Sequence, residues 1–166
     1  MQENTFWQMI EESWQVVGGR VEERQALAQG ELPEDDAFAL LEDLEEVVDS
    51  LTERLEDLNK EDLVAFDRIL ERKLYDIDRA EIQEYTDGSD DGFLYCRGFI
   101  VAAGQAYYDA VNRDPSRALV DLECEDLCYL PVQIYEDRFG DFPQSDLCRE
   151  TCSNQQGWAD ADDLDD

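Results

Sequence analysis

The chain has 166 residues, 43% of them hydrophobic, and sets 44 Asp and Glu against 13 Lys and Arg for a formal charge of −31. That length and apolar content suit one domain with a real core, while the charge excludes direct binding of nucleic acid or anionic lipid, which needs cationic contacts. Histidine is absent, which removes Ser–His and Cys–His nucleophile pairs and His metal ligands, so any catalysis must run on carboxylates, Tyr, Lys, Cys or a metal.

The first segment, MQENTFWQMIEESW, has no basic region followed by an apolar one, and no apolar run reaches membrane-spanning length. A cytoplasmic protein with reduced cysteines is therefore expected. Thr5 and Gln8 form a capping-box pattern ahead of Phe6, Ile10, Trp14 and Val17 at helical spacing, stopped by Gly18 and Gly19. Residues 20–29 form a second, short helical segment ended by Gly30, and Pro33 followed by Glu34, Asp35 and Asp36 opens a third.

Along the third helix, Leu41, Leu44, Val48, Leu51, Leu55 and Leu58 step by 3 and 4. The run is short of the three to four heptads that argue for a coiled coil, and its flanks are nearly all acidic, so identical partners would repel. A helix lying in its own bundle, in a monomer or weak dimer, is the expectation. Asn59 with Asp62 caps a fourth helix, with Leu63, Phe66, Leu70, Leu74 and Ile77 toward the core, continuing with an interruption to Tyr85. A further helix is expected over about 90–111, closed by Asn112 and Pro115, and a last one over about 116–139, kinked or restarted at Pro131 and ended by Gly140. No period-two alternation calls for a sheet. The chain ends ADADDLDD, with five Asp in eight residues, which reads as a disordered tail.

The stretch DGSDDGFLYCRGF, residues 87–99, holds the densest set of candidate chemical groups. Asp87, Ser89, Asp91 and Gly92 match the opening of a calcium loop, but its twelfth position is Gly98 rather than a bidentate Glu. Asp90 and Asp91 would form a carboxylate pair, yet adjacent side chains diverge by about 100° on a helix. The simpler reading is a helix start: Ser89 or Asp90 as N-cap, the acids complementing the helix dipole, and Arg97 clamped by a carboxylate from this turn or from another helix. Cys124 and Cys128, like Cys148 and Cys152, have helical-turn spacing and are weak candidates for zinc or for a disulfide hairpin. No complete metal or cofactor motif is present, and none is expected to be bound.

These motifs together resemble a bacterial family of domains of unknown function, number 4240. Phe6-Trp7, the stretch LEDLNKEDLVAFDRIL, the set Gly88, Ser89, Asp90, Asp91, Phe93, Tyr95, Arg97, Gly104 and Pro115, and ECEDLCYLPVQIYEDRFGDFP carry the resemblance, over residues 5–143. Gly88 and Cys96 depart from it, as does the polar YDIDRAEIQEYT. The resemblance implies a fold rather than an activity.

The expectation is an all-α, irregular single-domain bundle over residues 1–143, with residues 144–166 as an acidic tail holding at most a short helix. The expected function is a non-catalytic protein-interaction or regulatory module with a salt-adapted surface, since only 2 of the 13 bases are Lys and Asp outnumbers Glu. Its partner is an unspecified protein, plausibly a basic one. A carboxylate- or metal-dependent enzyme using Asp90 and Asp91 is the first alternative, and a nucleic-acid mimic binding a basic protein is the second.

Overall fold

A computed structural model describes residues 1–86 and 88–159. Nine α-helices succeed one another among these residues: α1 (Glu3–Ser13), α2 (Val21–Gln29), α3 (Glu34–Glu56), α4 (Lys60–Asp76), α5 (Ala80–Gln83), α6 (Asp90–Ala102), α7 (Gln105–Arg113), α8 (Glu125–Phe139) and α9 (Gln155–Trp158). Single 3₁₀ turns cover Trp14–Val17 and Pro115–Arg117, and no strand is present among the described residues. The domain is all-helical, as the periodicities require.

The long helix α3 buries Ala37, Leu40, Leu44, Val47, Val48, Leu51 and Leu55 against α1 and the 3₁₀ turn that follows it. Its seam is thus centred on Leu40 and Val47 as well as the expected leucines, with Leu41 and Leu58 only half-buried. A 3.6-residue repeat drifts away from a strict heptad, and a curved bundle interior accepts the drift. Helices α4, α6 and α8 pack on one another, joining Leu63, Phe66, Leu70 and Leu74 to Phe93, Ile100, Leu127 and Ile134 in one core. Asn59 caps α4 as expected, accepting from the Asp62 amide at 2.8 Å.

Three local expectations are corrected. The capping box at Thr5 and Gln8 does not form: α1 begins at Glu3 behind Gln2, whose side chain makes no capping bond, and Gln8 turns along the helix to donate to Glu12. The helix expected over 90–111 breaks at Gly104, which adopts φ +107°. The Ala102 and Ala103 carbonyls at the break find side-chain donors, Trp14 Nε1 on Ala102 at 2.8 Å and Arg24 Nη1 on Ala103 at 3.1 Å, as buried acceptors require. The helix expected from residue 116 starts only at Glu125, because Asp121 takes a left-handed conformation and the Cys124 amide donates to Tyr95 O of α6. Pro131 lies inside continuous α8.

Helices α6 and α8 approach so closely that a Cβ on Gly98 would stand 2.4 Å from the Cys124 carbonyl oxygen and 2.8 Å from Cys128 Sγ. The first of these neighbours is backbone and cannot swing away. Gly98→Ala should therefore cost about 1–3 kcal/mol by overpacking, measured as a lowered midpoint in denaturant unfolding with an unchanged slope.

Candidate functional site

Ser89 has the extended backbone of an N-cap, and its Oγ accepts from the Gly92 amide at 3.0 Å. Asp90 and Asp91 follow in the first turn of α6, both exposed, where negative charge complements the positive helix end. Asp87 lies outside the described residues. The helix begins at Asp90, too early for a twelve-residue calcium loop.

Arg97 points the other way, into the protein, with no exposed surface. Nη1 donates to Leu74 O at 2.8 Å, Nη2 donates to Thr151 Oγ1 at 3.1 Å, and the guanidinium lies over the Phe93 ring. Its carboxylate is Asp78, likewise fully buried, at 4.0 Å. Burial pulls the Arg97 pKa below the ordinary arginine value, and Asp78 opposes that pull. The candidate set therefore divides: Ser89, Asp90 and Asp91 stay at the surface, and the clamp on Arg97 comes from the α4–α5 connection rather than from the turn. Thr151 links the two halves, accepting from Arg97 and donating to the Asp90 carbonyl at 2.6 Å.

Residues 144–159, expected to belong to an acidic tail, fold back over this network; residues 160–166 of that tail lie outside the described residues. Asp78 accepts from the amides of Cys152 and Asn154 at 3.1 and 2.9 Å and from Trp158 Nε1 at 3.0 Å. Trp158, which has no evident partner in the sequence, also stands edge-on to Phe93. Beside them Arg149 is buried, with Nη2 on both oxygens of Asp67 at 3.0 and 2.9 Å and on Glu71 at 3.3 Å, and Nη1 on Cys128 O at 2.6 Å. The Tyr129 ring covers it. Burial pushes the Asp67 carboxyl above the usual range despite the Arg149 hydrogen bond. Burial acts to lower the Arg149 pKa, but the hydrogen bonds and charges of Asp67 and Glu71 together outweigh it and raise the value.

Asp67, Glu71, Asp78 and Arg149 were not candidates on sequence grounds. The available signal was the place of Asp67 and Glu71, one turn apart beside Leu63, Phe66, Leu70 and Leu74: acids bordering an apolar stripe ask for a buried cation. Nothing local indicates that the cation is Arg149.

Asp91 has a second setting. It lines a recess of about 180 Å³ between the starts of α6 and α8, with Glu125, Asp126, Glu150, Tyr95 and Tyr129. Tyr129 donates its hydroxyl to Glu150. Burial, followed by that hydrogen bond, raises the Tyr129 pKa, and burial with the neighbouring Glu125 raises that of Tyr95. No Lys or Arg lines the recess.

The four cysteines with turn spacing do not converge. Cys124 and Cys128 are buried, Cys148 and Cys152 are exposed, and none of these four is joined in a disulfide. Among the described residues no three His, Cys, Asp or Glu side chains are grouped to hold a metal ion. Burial pushes the Cys124 thiol up to about 12 and raises Cys128 as well.

A family model described as a protein of unknown function (DUF4240) matches residues 1–137. Among curated proteins and among solved structures nothing matches significantly. The segment that closes over Arg97 and Asp67 thus lies beyond the matched region.

Two outcomes are expected. Arg97→Ala should cost about 3–5 kcal/mol by leaving Asp78 buried and uncompensated, read from urea unfolding. At about pH 8, iodoacetamide should modify Cys148 and Cys152 in the native protein, while the three buried thiols react only after unfolding; intact-mass spectra count the adducts.

Proposed function

Because the chain belongs to the DUF4240 family of proteins of unknown function, we propose its role from its own side chains: a non-catalytic protein-binding or regulatory module that receives a basic partner. The observation that carries the reading is the closure of Arg97. A catalytic use of the turn would need Arg97 and the paired Asp side chains to face one space; Arg97 is sealed with Asp78 while Asp90 and Asp91 face solvent. What remains open at the turn is the recess lined by Asp91, Glu125, Asp126 and Glu150 with two tyrosines. Carboxylates beside aromatic faces suit an ammonium or guanidinium group.

The surface charge fits a salt-adapted module of the cytoplasm. No helix among the described residues is long and apolar enough to cross a membrane. Self-repulsion of surface carboxylates opposes the compact state and is screened as the Debye length falls from about 30 Å at 0.01 M salt to about 3 Å at 1 M. The melting temperature should rise across that range. Titration with an arginine- and lysine-rich polypeptide at low salt tests the partner: a complex that Asp91→Asn, Glu125→Gln and Glu150→Gln together weaken about tenfold supports the reading. An affinity unmoved by the triple variant, or no complex at all, sinks it.

A further inference from the structure

Large hydrophobic side chains are rarely left in the open on this acidic surface. Among the described residues Val16, Val21, Phe38, Tyr85, Val120 and Phe139 are exposed, and Phe38, Tyr85 and Val120 line one cleft. The cleft encloses about 370 Å³ between the first turn of α3, the chain just after α5, and the non-helical stretch 118–122. Ala37, Ala118 and Leu122 are buried at its base, whereas Phe38, Tyr85 and Val120 remain 40%, 43% and 54% exposed. Glu34 and Glu84 stand in its lining, which contains no Lys or Arg. Asp35 and Asp36, both exposed, follow Glu34 in the same helical turn.

Each part of this arrangement restricts the occupant. Three of the six exposed large apolar side chains among the described residues meet at this one cleft, a grouping that offers an apolar contact to an incoming side chain. A volume near the lower end of the roughly 300–1,000 Å³ typical of ligand pockets holds one or two side chains rather than a large cofactor. A second copy of the chain would bring a formal charge of −31 against the same sign, and the acidic rim repels acidic segments and phosphates. We propose that this cleft docks a segment of a partner protein presenting one bulky apolar side chain with Lys or Arg to either side. The apolar side chain enters between Phe38, Tyr85 and Val120, and the flanking cations meet Glu34 and Glu84. The inference rests on the reading above for the partner's basic character, and it adds an anchor at a site separate from the Asp91 recess.

A random-peptide phage library selected on the intact protein tests this without presuming a partner. The expected result is a family of peptides with a central Leu, Ile, Phe or Trp flanked by Lys or Arg. A synthetic copy of the leading peptide should lose about tenfold or more in affinity with Phe38→Ser plus Val120→Ser. Glu34→Gln plus Glu84→Gln should weaken it severalfold and reduce its salt dependence. Circular dichroism checks that these surface variants stay folded. Basic peptides that ignore Phe38 and Val120 but are lost with Asp91→Asn, Glu125→Gln and Glu150→Gln overturn the cleft while leaving the acidic module standing. Peptides without bases, or small apolar compounds as the sole ligands, overturn the proposed partner chemistry and count against that module. Failure to enrich any peptide overturns both.

Discussion

Asp67 and Glu71 lie one turn apart on α4 and are both buried; Arg149 is the buried guanidinium that hydrogen-bonds both, with the more exposed Arg68 at 3.7 and 3.6 Å from them. Taking an ion out of water costs several kcal/mol even after relaxation, and only close, well-bonded opposite charge offsets that. This requirement governs the rest of the molecule. It holds residues 144–159 against the α4–α6–α8 layer, and the same segment brings two amides and an indole to Asp78 and a hydroxyl to Arg97. Without the segment, three carboxylates and one guanidinium would face a half-formed interior. The closing piece lies past the region matched by the family model, yet it completes the bonding of charges that lie inside that region.

Among the described residues the buried cations are all arginine. Guanidinium groups serve several acceptors at once in a planar fork, which an ammonium group cannot do. Arg24 bonds both oxygens of Glu11 and the carbonyls of Gly19 and Ala103, and Arg149 gathers two carboxylates and a carbonyl. Both, with Arg97, are buried. The buried charges balance, Arg24, Arg97 and Arg149 against Asp67, Glu71 and Asp78, so the excess of acid over base lies outside the core. The strongly negative charge is therefore a property of the exterior, and the arginine-tied interior is neutral by itself.

The acidic turn shows how a local motif is divided by its surroundings. Ser89 acts as a helix cap, Asp90 and Asp91 complement the helix dipole, and Asp91 also borders a recess that carries excess negative charge. Arg97, seven residues after Asp90, lies on nearly the same side of the helix but about 10 Å further along its axis, where the neighbouring elements bury it. Sequence proximity therefore gathers these residues on paper, while the helix separates them along its axis into an exposed first turn and a buried middle.

Local rules decided what one residue or one turn can decide. Helical periodicity, the glycine stops at Gly18, Gly30 and Gly140, the Asn59 and Ser89 caps, the buried face of α4, and the exclusion of histidine chemistry all follow from short-range sterics and residue type. The break at Gly104 was less legible, because glycine inside a helix is tolerated until donors such as Trp14 and Arg24 capture the freed carbonyls, and those donors come from distant chain. The ion pairs were least legible of all: Arg149 and Asp67 are 82 positions apart, and nothing in either neighbourhood specifies the other. The sequence by itself determined an acidic helical domain with a charge buried in α6. Only the tertiary structure decided that Asp78 answers that charge and that residues 144–159 close over it, because desolvation is settled by what meets in space rather than by what is adjacent in the chain.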